Sequence, residues 1–354
     1  MGKIALPCVG MVLAECAQTG LIIVSKAAMS HGMSNLIFVF YSNALASLIL
    51  LPFSFLVHRS ERPPFSFSVL YGLFLLGLLG CFAQIFGYAG IHYSSPTLGT
   101  ALLNLIPGFT FILAIIFRME ELDWRRSTTV AKSVGTVVSI AGAFIVTLYK
   151  GHPLIMKNSE SDVFHEQSLS QQSNWFIGGL FLAADCLLSS AWLIVQASIL
   201  KNFPVELIVV FYYVFFVAIQ SAAVCLVMER NISAWSLKPD ARLISVLYSA
   251  VFGSAVQVGI STWCLQRTGP VFVAMFKPLG IVIAVAVGVI FFGDTFYLGN
   301  LVGAVVIVIG FYLVMWGKAK ENMGIDVRLE NSDSSSQNVS LLQDKMIETE
   351  KFLQ

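Results

Sequence analysis

The chain has 354 residues, 57% of them hydrophobic and only 12% charged, with a formal net charge of +1. Soluble domains carry roughly 25% charged residues, so a water-facing surface for a chain of this length cannot be assembled. The near-neutral charge leaves no basic footprint for a nucleic acid, and the composition points to a polytopic, all-α protein of the lipid bilayer.

Runs of about 20 apolar residues, enough to cross the hydrocarbon layer as a helix, predict ten spans. The first five lie near residues 6–26, 36–57, 69–91, 98–117 and 133–149. The first of these carries Glu15 and is followed by nine more, so it is read as a span rather than a cleaved leader. A polar stretch over 152–174 follows, then five further spans near 175–195, 207–228, 243–265, 271–292 and 298–316. Past Lys320 the chain turns polar and serine-rich, as in NSDSSSQNVS, and is expected to be disordered. The expected organisation is a first half over 1–150, a polar connector over 151–174, a second half over 175–318 and a cytosolic tail over 319–354.

Orientation follows from lysine and arginine near the span ends. With the N-terminus in the cytosol, that side receives Lys3, Arg59, Arg62, Arg118, Arg125, Arg126, Lys132, Lys201, Arg267, Lys318 and Lys320. The far side receives Lys150, Lys157, Arg230, Lys238 and Arg242, and Lys26 would make six there against eleven. Both termini are therefore expected inside, in the plasma membrane or else the vacuolar membrane.

The chain also repeats itself. GTVVSIAGAFIVTLYK (residues 135–150) returns as GAVVIVIGFYLVMWGK (303–318), with six identical columns and a lysine closing each copy. LAEC at 13–16 matches AADC at 183–186, SSPTLGTAL around Pro96 matches TGPVFVAMF around Pro270, and RME ending at Glu120 matches FGD ending at Asp294. The matches keep their order. Five spans per copy is an odd number, so consecutive copies enter the membrane in opposite senses. The predicted fold is ten transmembrane helices in two inverted five-helix repeats, a plan typical of secondary transporters.

An ionisable group inside a span costs about 2.5–3.5 kcal/mol on insertion scales and faces protein or water. Glu15 and Lys26 stand three turns apart on one face of the first span; Asp185 and Gln196 repeat that spacing on the sixth. Either Glu15 and Asp185 face a cavity and meet a substrate ammonium, with coupling to protons left open, or each pairs with a neighbouring helix and sets packing. Pro107 is expected to interrupt the fourth span and Pro278 the ninth, and paired interruptions point to a transporter site. Lys277, beside the second break, is placed to meet a substrate carboxylate or to neutralise an acid. Gln84 and Tyr88 on the third span, Asn104 one turn before Pro107, and Gln257 on the eighth span are lesser candidates, since such residues also join helices to one another. The loop acids Glu120, Glu121 and Asp123, beside Arg118, Arg125 and Arg126, read as a solvated charge cluster.

No cysteine pair or Cys/His spacing suits a metal, and there is no HExxH, Gly-x-Ser-x-Gly or phosphate loop, so neither a cofactor nor an enzyme activity is expected. A non-transporting receptor or scaffold is the remaining alternative, and the oligomeric state is left open.

The stretches NLIPGFTFILAIIFRMEELDWR (104–125), VGTVVSIAGAFIVTLYKG (134–151) and GNLVGAVVIVIGFYLVMWGKAKE (299–321) resemble the plant Walls-Are-Thin-related proteins, or UmamiT transporters. These are drug/metabolite transporters with two EamA-type halves. The resemblance spans nearly all of residues 1–321 and implies a ten-helix bundle with a central cavity. It also implies a small-molecule solute, an amino acid in many members and auxin or another organic acid as the alternative. Where the family usually has asparagine before the proline of the ninth span, this chain reads MFKPLG, with Lys277.

Overall fold

In lipid the backbone has no water to bond, so each span must close its own hydrogen bonds as a helix. The computed structural model describes residues 2–30, 32–57, 66–93, 102–120, 125–149, 151–155, 172–229, 235, 237, 240–287, 289–290 and 296–321. Helices α1 (Gly2–Ser30), α2 (Asn35–Val57), α3 (Phe67–Tyr93), α4 (Ile106–Ile116) and α5 (Ser127–Leu148) form the first half. The second comprises α6 (Gln172–Asn202), α7 (Glu206–Met228), α8 (Arg242–Thr268), α9 (Pro270–Val287) and α10 (Leu298–Glu321). Among the described residues eight helices are long and apolar enough to cross a membrane, and the shorter apolar stretches Ala5–Leu21 and Ile106–Ile116 complete the ten spans.

Several boundaries differ from the sequence reading. The helix α6 runs to Asn202, 31 residues in all, or about 46 Å at 1.5 Å per residue, so it projects beyond the hydrocarbon layer or tilts within it. The helix α10 continues to Glu321, so the first three residues of the segment 319–354 are helical; the rest of that tail lies outside the described residues. Within the connector, strand β1 (Pro153–Ile155) pairs antiparallel with strand β2 (Phe296–Tyr297), just ahead of α10. The middle of α8 is a π-helix over Ser249–Gln257. Between α8 and α9, Gly269 takes φ 91°, a left-handed conformation open to glycine at little cost, and Pro270 starts the next helix.

The inversion is visible in the packing. Exchanging each helix with its counterpart in the other half maps the most extensive interior contacts onto one another. Contact of α3 with α6 matches α8 with α1, α4 with α6 matches α9 with α1, and α3 with α7 matches α8 with α2, while α2–α7 and α4–α9 are self-matching pairs. The repeated helices α5 and α10 lie directly against each other and run antiparallel, Gly135 beside Gly310 and Gly142 beside Gly303. The chain writes that helix twice because the two copies form one self-complementary seam.

The core is centred on α7, whose Val209, Val210, Val214 and Val217 are buried together with Leu73 and Leu76 of α3 and Leu193 of α6. The outward faces keep Val9, Leu13, Leu48, Ile177 and Leu226 exposed, a continuous apolar exterior that only lipid can cover.

Candidate functional site

Two carboxylates anchor the interior. Glu15, on α1, is buried, and its Oε1 stands 3.1 Å from Lys277 Nζ on α9. The Lys277 ammonium is the ion-pair partner of that oxygen. The Lys277 side chain is 30% exposed against 3% for Glu15, so the lysine keeps reach beyond its partner.

Asp185, on α6, is buried and accepts a 3.0 Å hydrogen bond from Ser189 Oγ, one turn on. Lys277 acts electrostatically on Asp185 as well, which joins α1, α6 and α9 in one charged neighbourhood. Each acid also crosses the interface between halves to rest on a glycine. A Cβ on Gly280 would stand 2.7 Å from Glu15 Oε2, and one on Gly87 would stand 2.7 Å from Asp185 Oδ2. The carboxylate oxygens occupy space that a side chain at either glycine would compete for, so each acid would have to shift.

The remaining candidates separate into groups. Tyr88, one residue on from Gly87, is close enough to Asp185 to interact with its charge. Gln84 shares a hydrogen bond with the Tyr213 hydroxyl of α7, and the Tyr213 ring packs 5.3 Å from that of Trp192. Gln196 is buried, and its Nε2 donates at 2.8 Å to Thr262 Oγ1 of α8, which makes it a tie between helices. Gln257 is half-buried at the end of the π-helix, away from these contacts in sequence and without a described role in the pair. Lys26 lies in the last turns of α1, and its side chain is outside the described residues.

The prolines mark the breaks from their downstream side. Leu105 N–H donates to Leu102 O at 2.9 Å in a turn, after which α4 opens with Pro107 in its first turn. The α9 helix breaks at Met275 and resumes at Phe276, with Pro278 again in the first turn. A proline there lacks an N–H that would have no intrahelical partner in any case, so it starts a helix cheaply. Two carbonyls on either side of the start of α4 also meet side chains of α6. Cys186 Sγ lies 3.0 Å from Leu102 O, and Ser190 Oγ donates to Ile106 O at 3.2 Å. Asn104 is buried in that turn with its Nδ2 unpaired, a donor left over next to the break.

Sequence reasoning missed the two glycines and the hydrogen-bonding partners Tyr213 and Thr262, because spacing along one helix carries no information about which helix comes opposite. It also misread Glu120. Far from being solvated, Glu120 is buried and paired with Lys132 and, at 2.9 Å, with Lys318, and Glu321 Oε2 lies 3.1 Å from Lys132 Nζ. Glu121 and Asp123 lie outside the described residues. Two open clefts lie elsewhere among the described residues, one beside α5 and α10 and one lined by α1, α9 and α10, and neither is lined by Glu15 or Asp185.

The family model for EamA-like transporters matches residues 6–148 and 176–316, one match for each half. Three WAT1-related proteins of Arabidopsis thaliana are similar to this chain at 50%, 46% and 45% identity, over 89% of its length and 86%, 88% and 89% of theirs. A crystal structure of a protein 13% identical superposes with a TM-score of 0.64, over 89% of this chain and 97% of that one, a likeness of fold alone. Two matched halves, the antiparallel seam and half-identical relatives agree: the chain belongs to the EamA-like transporter family and is a multi-pass membrane transporter of small solutes.

Proposed function

We propose that the protein carries a zwitterionic solute, an amino acid, by alternating access of its two inverted halves about the Glu15–Lys277–Asp185 site. The observation that carries this reading is the charge inventory. Lys277 is already matched by Glu15, and Asp185 is hydrogen-bonded but has no base of its own within ion-pair distance among the described residues. With both acids ionised, the site is short of positive charge, so it suits an arriving ammonium better than a lone carboxylate. A substrate carboxylate then takes Lys277, which is exposed enough to turn towards it. An amino acid brings an ammonium that can replace Lys277 beside the acids, whereas an auxin-like acid brings only the carboxylate, and drawing Lys277 from Glu15 then leaves a buried acid with no cation.

Uptake by liposomes containing only the purified protein tests this. Neutral α-amino acids are expected to outpace indole-type acids, and the reverse order would count against the zwitterion. Lys277→Asn restores the residue usual in the family and should lower amino-acid transport about tenfold, the effect of losing roughly 1.4 kcal/mol of a charge-assisted contact. The change also strips buried Glu15 of its ion-pair partner, so transport is compared in the Glu15→Gln background, where stability is expected to recover. If Lys277 is only a counter-ion, that double variant regains transport along with stability; if Lys277 meets the substrate carboxylate, transport stays low.

The same reading places both termini in the cytosol of a plasma-membrane protein. A cysteine in place of His152, an exposed residue beside the β1–β2 ribbon, should then react with a membrane-impermeant maleimide on intact cells. One in place of Lys320 should react only after permeabilisation. The opposite pattern reverses the orientation.

A further inference from the structure

The end of the bundle that holds Lys132 and Lys318 has a second feature, on its outer surface. A cleft of about 410 Å³ opens there, lined by Arg125, Ser127, Val130, Ala131, Val134 and Leu313. Its polar groups are all at one end. Arg125 and Ser127 form the mouth, and Lys320 Nζ is held there by a 3.1 Å hydrogen bond to Ser127 Oγ while lying 5.0 Å from the centre of the Trp316 ring. Below the mouth the walls are apolar as far as Val134, and Val130 and Val134 are exposed on the lipid side. From Ser127 to Val134 is about 10 Å of helix at 1.5 Å per residue, the depth of a glycerol backbone and the start of an acyl chain.

The geometry points to a binding site for an anionic glycerophospholipid, its phosphate at the Arg125–Ser127–Lys320 mouth and one acyl chain along Val130, Val134 and Leu313. The charge agrees. Counting every residue of 118–132 and 316–321, this end carries six basic and four acidic side chains, a net +2. The set of Lys132, Lys318, Glu120 and Glu321 is balanced within itself, so the net charge comes from the residues around it. Basic clefts between helices at the cytosolic leaflet, where anionic lipids concentrate, are suited to such headgroups. A soluble anion would use the mouth and leave the apolar walls unexplained; a zwitterionic lipid would use the walls and leave the net charge unexplained.

The test uses the full-length protein, purified and reconstituted into nanodiscs of phosphatidylcholine alone or with phosphatidylserine. Native mass spectrometry and thermal unfolding report retained lipid and its effect. Phosphatidylserine is expected to be retained and to raise the melting temperature, whereas phosphatidylcholine does neither. Arg125→Gln and Lys320→Gln should each weaken retention about fivefold, since one basic residue near the surface contributes about 1 kcal/mol. Val134→Trp, which fills the apolar wall from a lipid-exposed position, should abolish retention without loss of folding. Equal retention of the two lipids, or retention unchanged in all three variants, overturns the assignment. So does equal stabilisation by glycerophosphate, which has no acyl chain.

Discussion

Glu120→Ala is expected to be among the most destabilising single substitutions in the protein, by about 3–5 kcal/mol, the cost of stripping a buried ion pair of one partner. Glu120 holds two lysines at once, Lys132 at the start of α5 and Lys318 at the end of α10. Lys132 is 1% exposed, so it cannot turn to water when its acid is gone. Glu321 would remain as the only described carboxylate for both ammonium groups. Unfolding of the purified protein in detergent, followed by heat or by denaturant, measures the loss. The double substitution Glu120→Gln with Lys132→Met should recover most of it, because the desolvated charge is removed together with its partner. Wild-type stability in Glu120→Ala would falsify the buried network. The pH dependence carries a sign of its own. Burial by itself would raise the Glu120 carboxyl, but Lys318 and Lys132 outweigh it and hold the group below the usual carboxylate range. A lowered folded value means that the stabilisation is fully present above the ordinary carboxylate range. It is lost as pH falls through the folded value. Stability should therefore be flat from neutral pH down to that range and fall beneath it, and Glu120→Gln should remove that acid limb.

Gly142→Leu and Gly310→Leu should disrupt the bundle comparably, and from the opposite direction, by adding volume instead of removing charge. A Cβ on Gly142 would stand 2.7 Å from the Ile307 backbone nitrogen, and one on Gly135 would stand 2.6 Å from the Gly310 carbonyl oxygen. Backbone cannot swing aside as a side chain can, so α5 and α10 must separate along their length. Overpacking costs about 1–3 kcal/mol in ordinary cores, and a backbone-to-backbone seam should sit at or beyond the upper limit. Gly179 supplies the control. It is also helical, but a Cβ there meets nothing within 4 Å, so Gly179→Ala should be neutral or gain up to about 1 kcal/mol of helix propensity. Folding yield and unfolding temperature across the set decide the matter. If all the glycines respond alike, the response reflects helix propensity and the seam has no special role.

The spans, the repeat and the matched acids were legible in the chain because each is a property of one segment compared with water, lipid or another segment. An apolar run must become a helix in a bilayer whatever lies beside it, and an odd number of spans per copy inverts the second copy by counting alone. Glu15 and Asp185 stood out for the same reason, as charges in segments that exclude charge. Contacts between segments were decided only by the tertiary structure. The charges around Glu120 look solvated in sequence because acid and base alternate in a loop, yet that acid is enclosed once the ends of α5 and α10 close on it. Nothing along α6 says that Gln196 ends on Thr262, or that Asp185 rests on Gly87, since periodicity names a face and not its partner. The prolines show the boundary most clearly. Pro107 and Pro278 announce a break, but only the structure shows that each proline sits in the first turn of the helix that follows it, and that Cys186 and Ser190 of α6 are the side chains lying against the turn before Pro107.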